Sequence, residues 1–223
     1  MPVIRSDDMA SPATGTGTAA KFKSLNGNAW ILAYQLEHKL RGLKDVVTRT
    51  ADAYASHYGV SPQHCFSNRV RDQKTTNKRT GFQPADDDCL RGVQLIDRLY
   101  IFAHGNDVLC GDFDGKNWAI YLHRLGVTEV GVINFSACDV GVGDFLDRFV
   151  IQAFRLRMLI GWVRAYRGTA VTEDDGGRPR QVIRANGTVL PKDRRLRVRR
   201  GTLNPATYEA LVGSTNSIVY RNT

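Results

Sequence analysis

Three short, largely apolar runs, Leu99–Ala103, Val130–Phe135 and Met158–Val163, constrain this chain more than any other feature. Each is too short for a stable helix and lacks the alternation of a half-wet strand, which is how a strand buried on both faces reads. The stretches between them have helical period. Asn117 reads as the cap of a helix to about Leu125, with Trp118, Tyr121, Leu122 and Leu125 inward and Gly126 as its stop. A second helix is expected from Asp144 to about Arg155, its apolar residues being Phe145, Leu146, Phe149, Ile151 and Phe154. Strands alternating with helices of crossover length predict a parallel sheet with helices on both faces. Thr169–Val171 and Gln181–Arg184, about the turn Asp174-Asp175-Gly176-Gly177, predict an antiparallel hairpin appended to it. The expected fold class is therefore α/β, a three-layer α-β-α sandwich around a mainly parallel sheet.

The first half is harder to read. Trp30–Tyr34 suits a first core strand, or the start of a helix. Asp45–Tyr58 puts Val46, Val47, Ala51, Tyr54, Ala55 and Tyr58 on one helical stripe that Gly59 ends. Residues 61–88, with Pro62, Pro84 and Asp86-Asp87-Asp88, read as one long loop. Residues 1–20 are rich in Ser, Thr, Gly, Ala and Pro without apolar period, so a flexible arm is expected there and a single domain over 21–223.

Composition removes several classes. No apolar run approaches the roughly 18 to 20 residues of a membrane helix. Residues 1–20 contain no apolar segment of a Sec signal. The four cysteines, Cys65, Cys89, Cys110 and Cys138, form no CxxC pair, so neither a disulfide scaffold nor a zinc ribbon is expected. The net charge of +9 is uneven: residues 1–150 carry 17 Lys+Arg against 17 Asp+Glu, and residues 151–223 carry 14 against 5. The densest run, Lys192 to Arg200, suits an acidic partner: protein, lipid or nucleic acid. It equally suits a strand edge, because Arg197 and Arg199 alternate with Leu196 and Val198 and no nucleic-acid motif accompanies them.

Chemistry concentrates where two of the apolar runs stop. One ends in His104-Gly105 and the next in Ser136-Ala137-Cys138. Functional groups of a parallel sheet collect at the carboxyl ends of its strands, and neighbouring strands lie about 5 Å apart. A histidine and a cysteine brought together there are a nucleophile and a proton carrier. Cys138 is expected just ahead of a helix, where dipole and free amides lower a thiol's pKa. The amides of Gly105 and Cys138 are suited to hold an oxyanion.

At these residues the chain resembles the caspase-like cysteine peptidases, which share an apolar strand ending in His-Gly, a helix, and an apolar strand ending in a small residue and Cys. Leu99-Tyr-Ile-Phe-Ala-His104-Gly105 and Val132-Ile-Asn-Phe-Ser-Ala-Cys138 carry the resemblance, over about residues 95–170. It implies His104 as base and acid, Cys138 as nucleophile, Gly105 as oxyanion donor, and a protein substrate. Ser136, beside the cysteine, and Arg164 and Tyr166, at the end of the third strand, fall where the substrate pocket is partly built; Arg164 would favour an acidic side chain. The caspase run Gln-Ala-Cys-x-Gly is absent, replaced by Ser-Ala-Cys-Asp-Val-Gly. His104 and Cys138 are 34 residues apart, against about 50 in caspases, closer to bacterial effector or toxin-type members. The setting this suggests is export by a non-Sec route into a target cell, or the cytoplasm.

Plainer readings stand beside these. Cys138 suits an inert core thiol, and His104 a strand-end histidine bonded to a loop carbonyl. Cys110, in the loop after His104, reads as a redox-prone bystander. Asp112 and Asp114 look like a fragment of a calcium loop without its terminal glutamate; no metal or cofactor is asked for. His38, His57, His64 and His123 fall in no ligand-spaced pair. A catalytically silent caspase-like binding module, and a basic adaptor acting through residues 190–200, are the alternative functions.

Overall fold

The computed structural model describes residues 27–35, 46–69, 81–174, 179–191 and 194–213. The apolar runs form the middle of a seven-stranded sheet. Its strands are β1 (Ala29–Tyr34), β2 (Cys65–Ser67), β3 (Gln83–Pro84), β4 (Arg98–Ala103), β5 (Glu129–Ser136), β6 (Leu159–Tyr166) and β10 (Leu196–Arg200). Their order is β10-β6-β5-β4-β1-β2-β3, and every pairing is parallel except that of β10 with β6. β1 and β4 are buried along their whole length, as continuous apolar runs require.

Helices cover both faces. α2 (Gly115–Arg124) and α3 (Phe145–Arg155) bury Trp118, Leu122, Phe145 and Phe149 against Leu99, Ile101, Ile133, Phe135 and Val163. α1 (Val46–Tyr58) lays Val47, Ala51 and Ala55 on Ile31, Ala33, Tyr100 and Phe102 of the opposite face. α4 (Pro205–Val212) is pinned by Tyr208, whose hydroxyl donates to the Leu95 carbonyl. At the foot of the sheet the buried Asp97 carboxylate accepts from the amides of Asn28 and Gln94 and from the Trp30 indole, tying β1 to the approach to β4. The predicted α/β sandwich is therefore the fold.

Several boundaries differ, each for a local reason. The α2 cap is Asp114, three residues ahead of Asn117: its carboxylate accepts the Asn117 amide at 2.8 Å. Val46 is 53% exposed instead of lying on the buried stripe of α1, because it sits at the helix's open first turn. Ile151 and Phe154, two of the apolar residues of the second predicted helix, are also exposed, because α3 buries only the face bearing Phe145, Leu146, Phe149 and Ala153. The long loop over 61–88 instead holds a 3-10 turn (Pro62–His64) and the strands β2 and β3, too short to show a period. β3 carries Pro84 at the sheet's edge, where a missing N–H costs little.

The predicted hairpin forms, as β7 (Thr169–Asp174) and β8 (Pro179–Ala185). It is hydrogen-bonded to β9 (Thr188–Val189) in a separate three-stranded sheet, through a two-residue turn in which Asn186 and Gly187 both take positive φ. The strand that does join the main sheet antiparallel is β10, part of the basic run. The arm over 1–20, His38, the tip of the hairpin turn and Lys192 lie outside the described residues. Among the described residues no helix is long and apolar enough to cross a membrane.

Candidate functional site

Register decides which strand ends meet. The β4–β5 ladder closes with Phe102 opposite Ser136, so two residues further on His104 and Cys138 leave neighbouring strands at the same level. Both are half-buried. The strand order reverses between β1 and β4, where such sheets usually bind ligands. That crevice is filled: Tyr34 is 8% exposed and packs on Phe113, Trp118 and Tyr121. The open chemistry lies one strand along, between β4 and β5.

Two loops build the place. After His104 the chain folds back on itself: Gly111 N–H donates to the His104 carbonyl, Asn106 N–H to Leu109, and Cys110 N–H to Phe113. The Asn106 carboxamide oxygen accepts the amides of Val108 and Leu109, which stiffens the tip. Beyond Cys138, Asp139 takes a positive φ and donates to Gly168, and Gly141 donates to Tyr166. The loops are in contact at Gly105, where a Cβ would stand 2.6 Å from the Cys138 carbonyl oxygen and 2.8 Å from Val140. A second contact is at Gly143, whose Cβ would meet the Asp107 carbonyl. Only glycine permits this approach. Among the described residues neither the Gly105 nor the Cys138 amide donates to a backbone carbonyl.

The thiol has a third neighbour. Ala170, on β7, donates its N–H to Cys138 Sγ at 3.4 Å. Burial pushes the Cys138 thiol up from its ordinary pKa, and the Ala170 bond only partly opposes this. This corrects the expectation of a lowered pKa. The helix begins at Phe145, with Asp144, six residues beyond Cys138, as its cap. Cys110 is fully buried beneath the His104 loop, its thiol raised by burial and by the nearby Cys138.

The residues expected around a substrate pocket occupy the sheet face toward α1. Ser136 is 6% exposed, and its Oγ accepts from Asn134 Nδ2 at 2.8 Å. Arg164 is 2% exposed and donates from Nε to Asn134 Oδ1 at 3.0 Å. Tyr166 is 8% exposed, its hydroxyl raised by burial and meeting Ser136. Arg164 thus stands inside a buried polar network whose electrostatic neighbours include Tyr54, Tyr58 and Tyr166. It is not the wall of an open pocket, because almost none of it reaches solvent. Asn134 and Ala170 were missed in the sequence. Asn134 left a signal there, as a polar residue within an apolar run; Ala170 left none, since it acts through its backbone.

Two further histidines and one acid make structural contacts. His64 stacks on Trp30 at 4.1 Å, and His57 lies edge-on to Tyr58. Asp114 caps α2, and no group of His, Cys, Asp or Glu among the described residues is arranged to hold a metal. Compared with known proteins, the chain matches no family model, no curated protein and no solved structure.

Proposed function

We propose that the protein is a cysteine peptidase of the caspase-like kind, working through Cys138 and His104. The observation that carries this reading is the contact at Gly105, which holds the His104 loop against the Cys138 backbone at the ends of two paired strands. Cys138 attacks the scissile carbonyl; its proton passes to His104, which returns it to the leaving amine and then activates water against the thioester. The Gly105 and Cys138 amides face the developing oxyanion. A thiol raised by burial is protonated at neutral pH, so the base is needed at the moment of attack. The Ala170 amide, donating to Sγ, favours the thiolate as it forms.

Cys138→Ala is expected to abolish cleavage of a general protein substrate such as unfolded casein, and covalent labelling by an acyloxymethyl-ketone probe, with an unchanged thermal midpoint. Undiminished proteolysis in that variant would end the proposal. The Ala170–Cys138 bond favours a second reading, a silent caspase-like module whose cysteine is sealed beneath β7. Its signature is a folded protein whose Cys138 resists the probe although small alkylating reagents reach it.

A further inference from the structure

Away from the cysteine, the opposite edge of the sheet is unfinished. β10 pairs with β6 through alternate residues: Arg167 donates to the Arg195 carbonyl and Gly201 to Gly161. The alternation directs the backbone groups of Leu196, Val198 and Arg200 outward, and they have no hydrogen bond among the described residues. Beside this edge α3 shows a second apolar stripe. Val150 is partly buried, Ile151 is 55% exposed and Phe154 is 70% exposed, at the i, i+1 and i+4 positions of one face. Between stripe and strand runs a groove of about 300 Å³ lined by Asp147, Val150, Ile151, Val198, Arg199 and Arg200.

Charge selects the occupant. Arg197 and Arg199 both reach Asp147, the single carboxylate of the groove. Arg155 and Arg200 have no carboxylate partner among the described residues. A second copy of this chain is a poor fit: a two-fold pairing centred on Val198 sets Arg197 of each copy against Arg199 of the other, and like charges directly opposed destabilise a strand pair. We propose that the free edge of β10 and the exposed stripe of α3 together dock an extended acidic segment of a partner polypeptide, added as a further strand. Its backbone pairs with Leu196, Val198 and Arg200; its apolar side chains cover Ile151 and Phe154 on the α3 face, and its carboxylates, on the opposite face, meet Arg200. The site lies two strands from Cys138 and stands whether or not the peptidase reading does.

The test uses a fluorescein-labelled heptapeptide of alternating glutamate and valine, followed by anisotropy against the full chain. Saturable binding is expected, weakening as salt rises. Val198→Pro removes an N–H that points away from β6, so the fold persists while binding falls by about tenfold or more. Ile151→Glu and Arg200→Glu, both at exposed positions, are expected to weaken it similarly, which keeps the test decisive if the proline variant unfolds. Equal binding of a lysine–valine peptide, or undiminished binding by all three variants, overturns the proposal. So does a concentration-dependent dimer that Val198→Pro dissolves, which makes the occupant a second copy. Binding to phosphatidylserine vesicles in place of the peptide, lost with the same variants, overturns it in favour of a membrane surface.

Discussion

Gly105 is the residue on which the site's geometry turns. Its hydrogen occupies a space bounded by the Cys138 carbonyl, Val140 and Ala137, with less than 3 Å left for any Cβ. Alanine there must push the His104 loop off the Cys138 turn. Under the proposed peptidase function, Gly105→Ala is therefore expected to lower kcat/KM by about a hundredfold, since a misplacement of about 1 Å costs that much in a positioned reaction. The fold loses only a few degrees of thermal midpoint. Wild-type turnover in that variant, measured beside its melting curve, would show that the loops need not touch for catalysis. The proposed dyad was suggested in the sequence by His-Gly and Ala-Cys, each of which terminates an apolar run. The sulfur's environment was not. A thiol near a helix in sequence is lowered only if it faces the amides, and here β7 comes over it from a separate sheet.

At the scale of elements, the seam between α2 and α3 shows why small residues matter at helix starts. A Cβ on Gly115 would sit on the Phe145 carbonyl and 2.8 Å from the Phe149 amide, so the two helices approach by backbone. Gly115→Ala is expected to destabilise the protein by about 2–3 kcal/mol through overpacking, read as a lowered midpoint in urea at constant m-value. An unchanged midpoint would mean that the helices can separate freely. The strands that form the centre of the sheet were readable from apolar runs alone. β2 and β3 were not, because three- and two-residue strands have no period and are strands only by virtue of β1 beside them. Which apolar residues of α3 face the sheet was not legible either: Ile151 and Phe154 are apolar yet exposed, while Phe145 and Phe149 are buried.

For the molecule as a whole, the pattern of raised thiols and phenols sets the response to alkali. Burial holds Cys65 up to about 11 and Cys89 up to about 12, and Tyr58 and Tyr121 each up to about 12. In the unfolded chain thiols ionise near about 8.5 and phenols near about 10. Above the unfolded value the unfolded state gives up protons that the native state keeps. The stabilisation is thus complete below about pH 8.5 and drains away as pH climbs toward the folded values. The thermal midpoint is expected to fall between about pH 8.5 and 10.5, and less steeply in a Cys65→Ala, Cys89→Ala variant. Identical slopes for variant and wild type would assign the decline to other groups.

The sequence by itself determined the layers. Runs of apolar residues too short to be helices, separated by stretches of helical period, can bury their surface only as a parallel sheet between helices, so the α/β sandwich and the two strand ends bearing His104 and Cys138 followed from local pattern. Tertiary structure alone decided what stands against those ends and which edge has no partner strand among the described residues: the cover of Ala170 over the sulfur, the burial of Arg164 beside Asn134, and the outer side of β10. These depend on contacts between residues 30 or more positions apart, and no periodicity within a single segment records which distant segment will lie beside it.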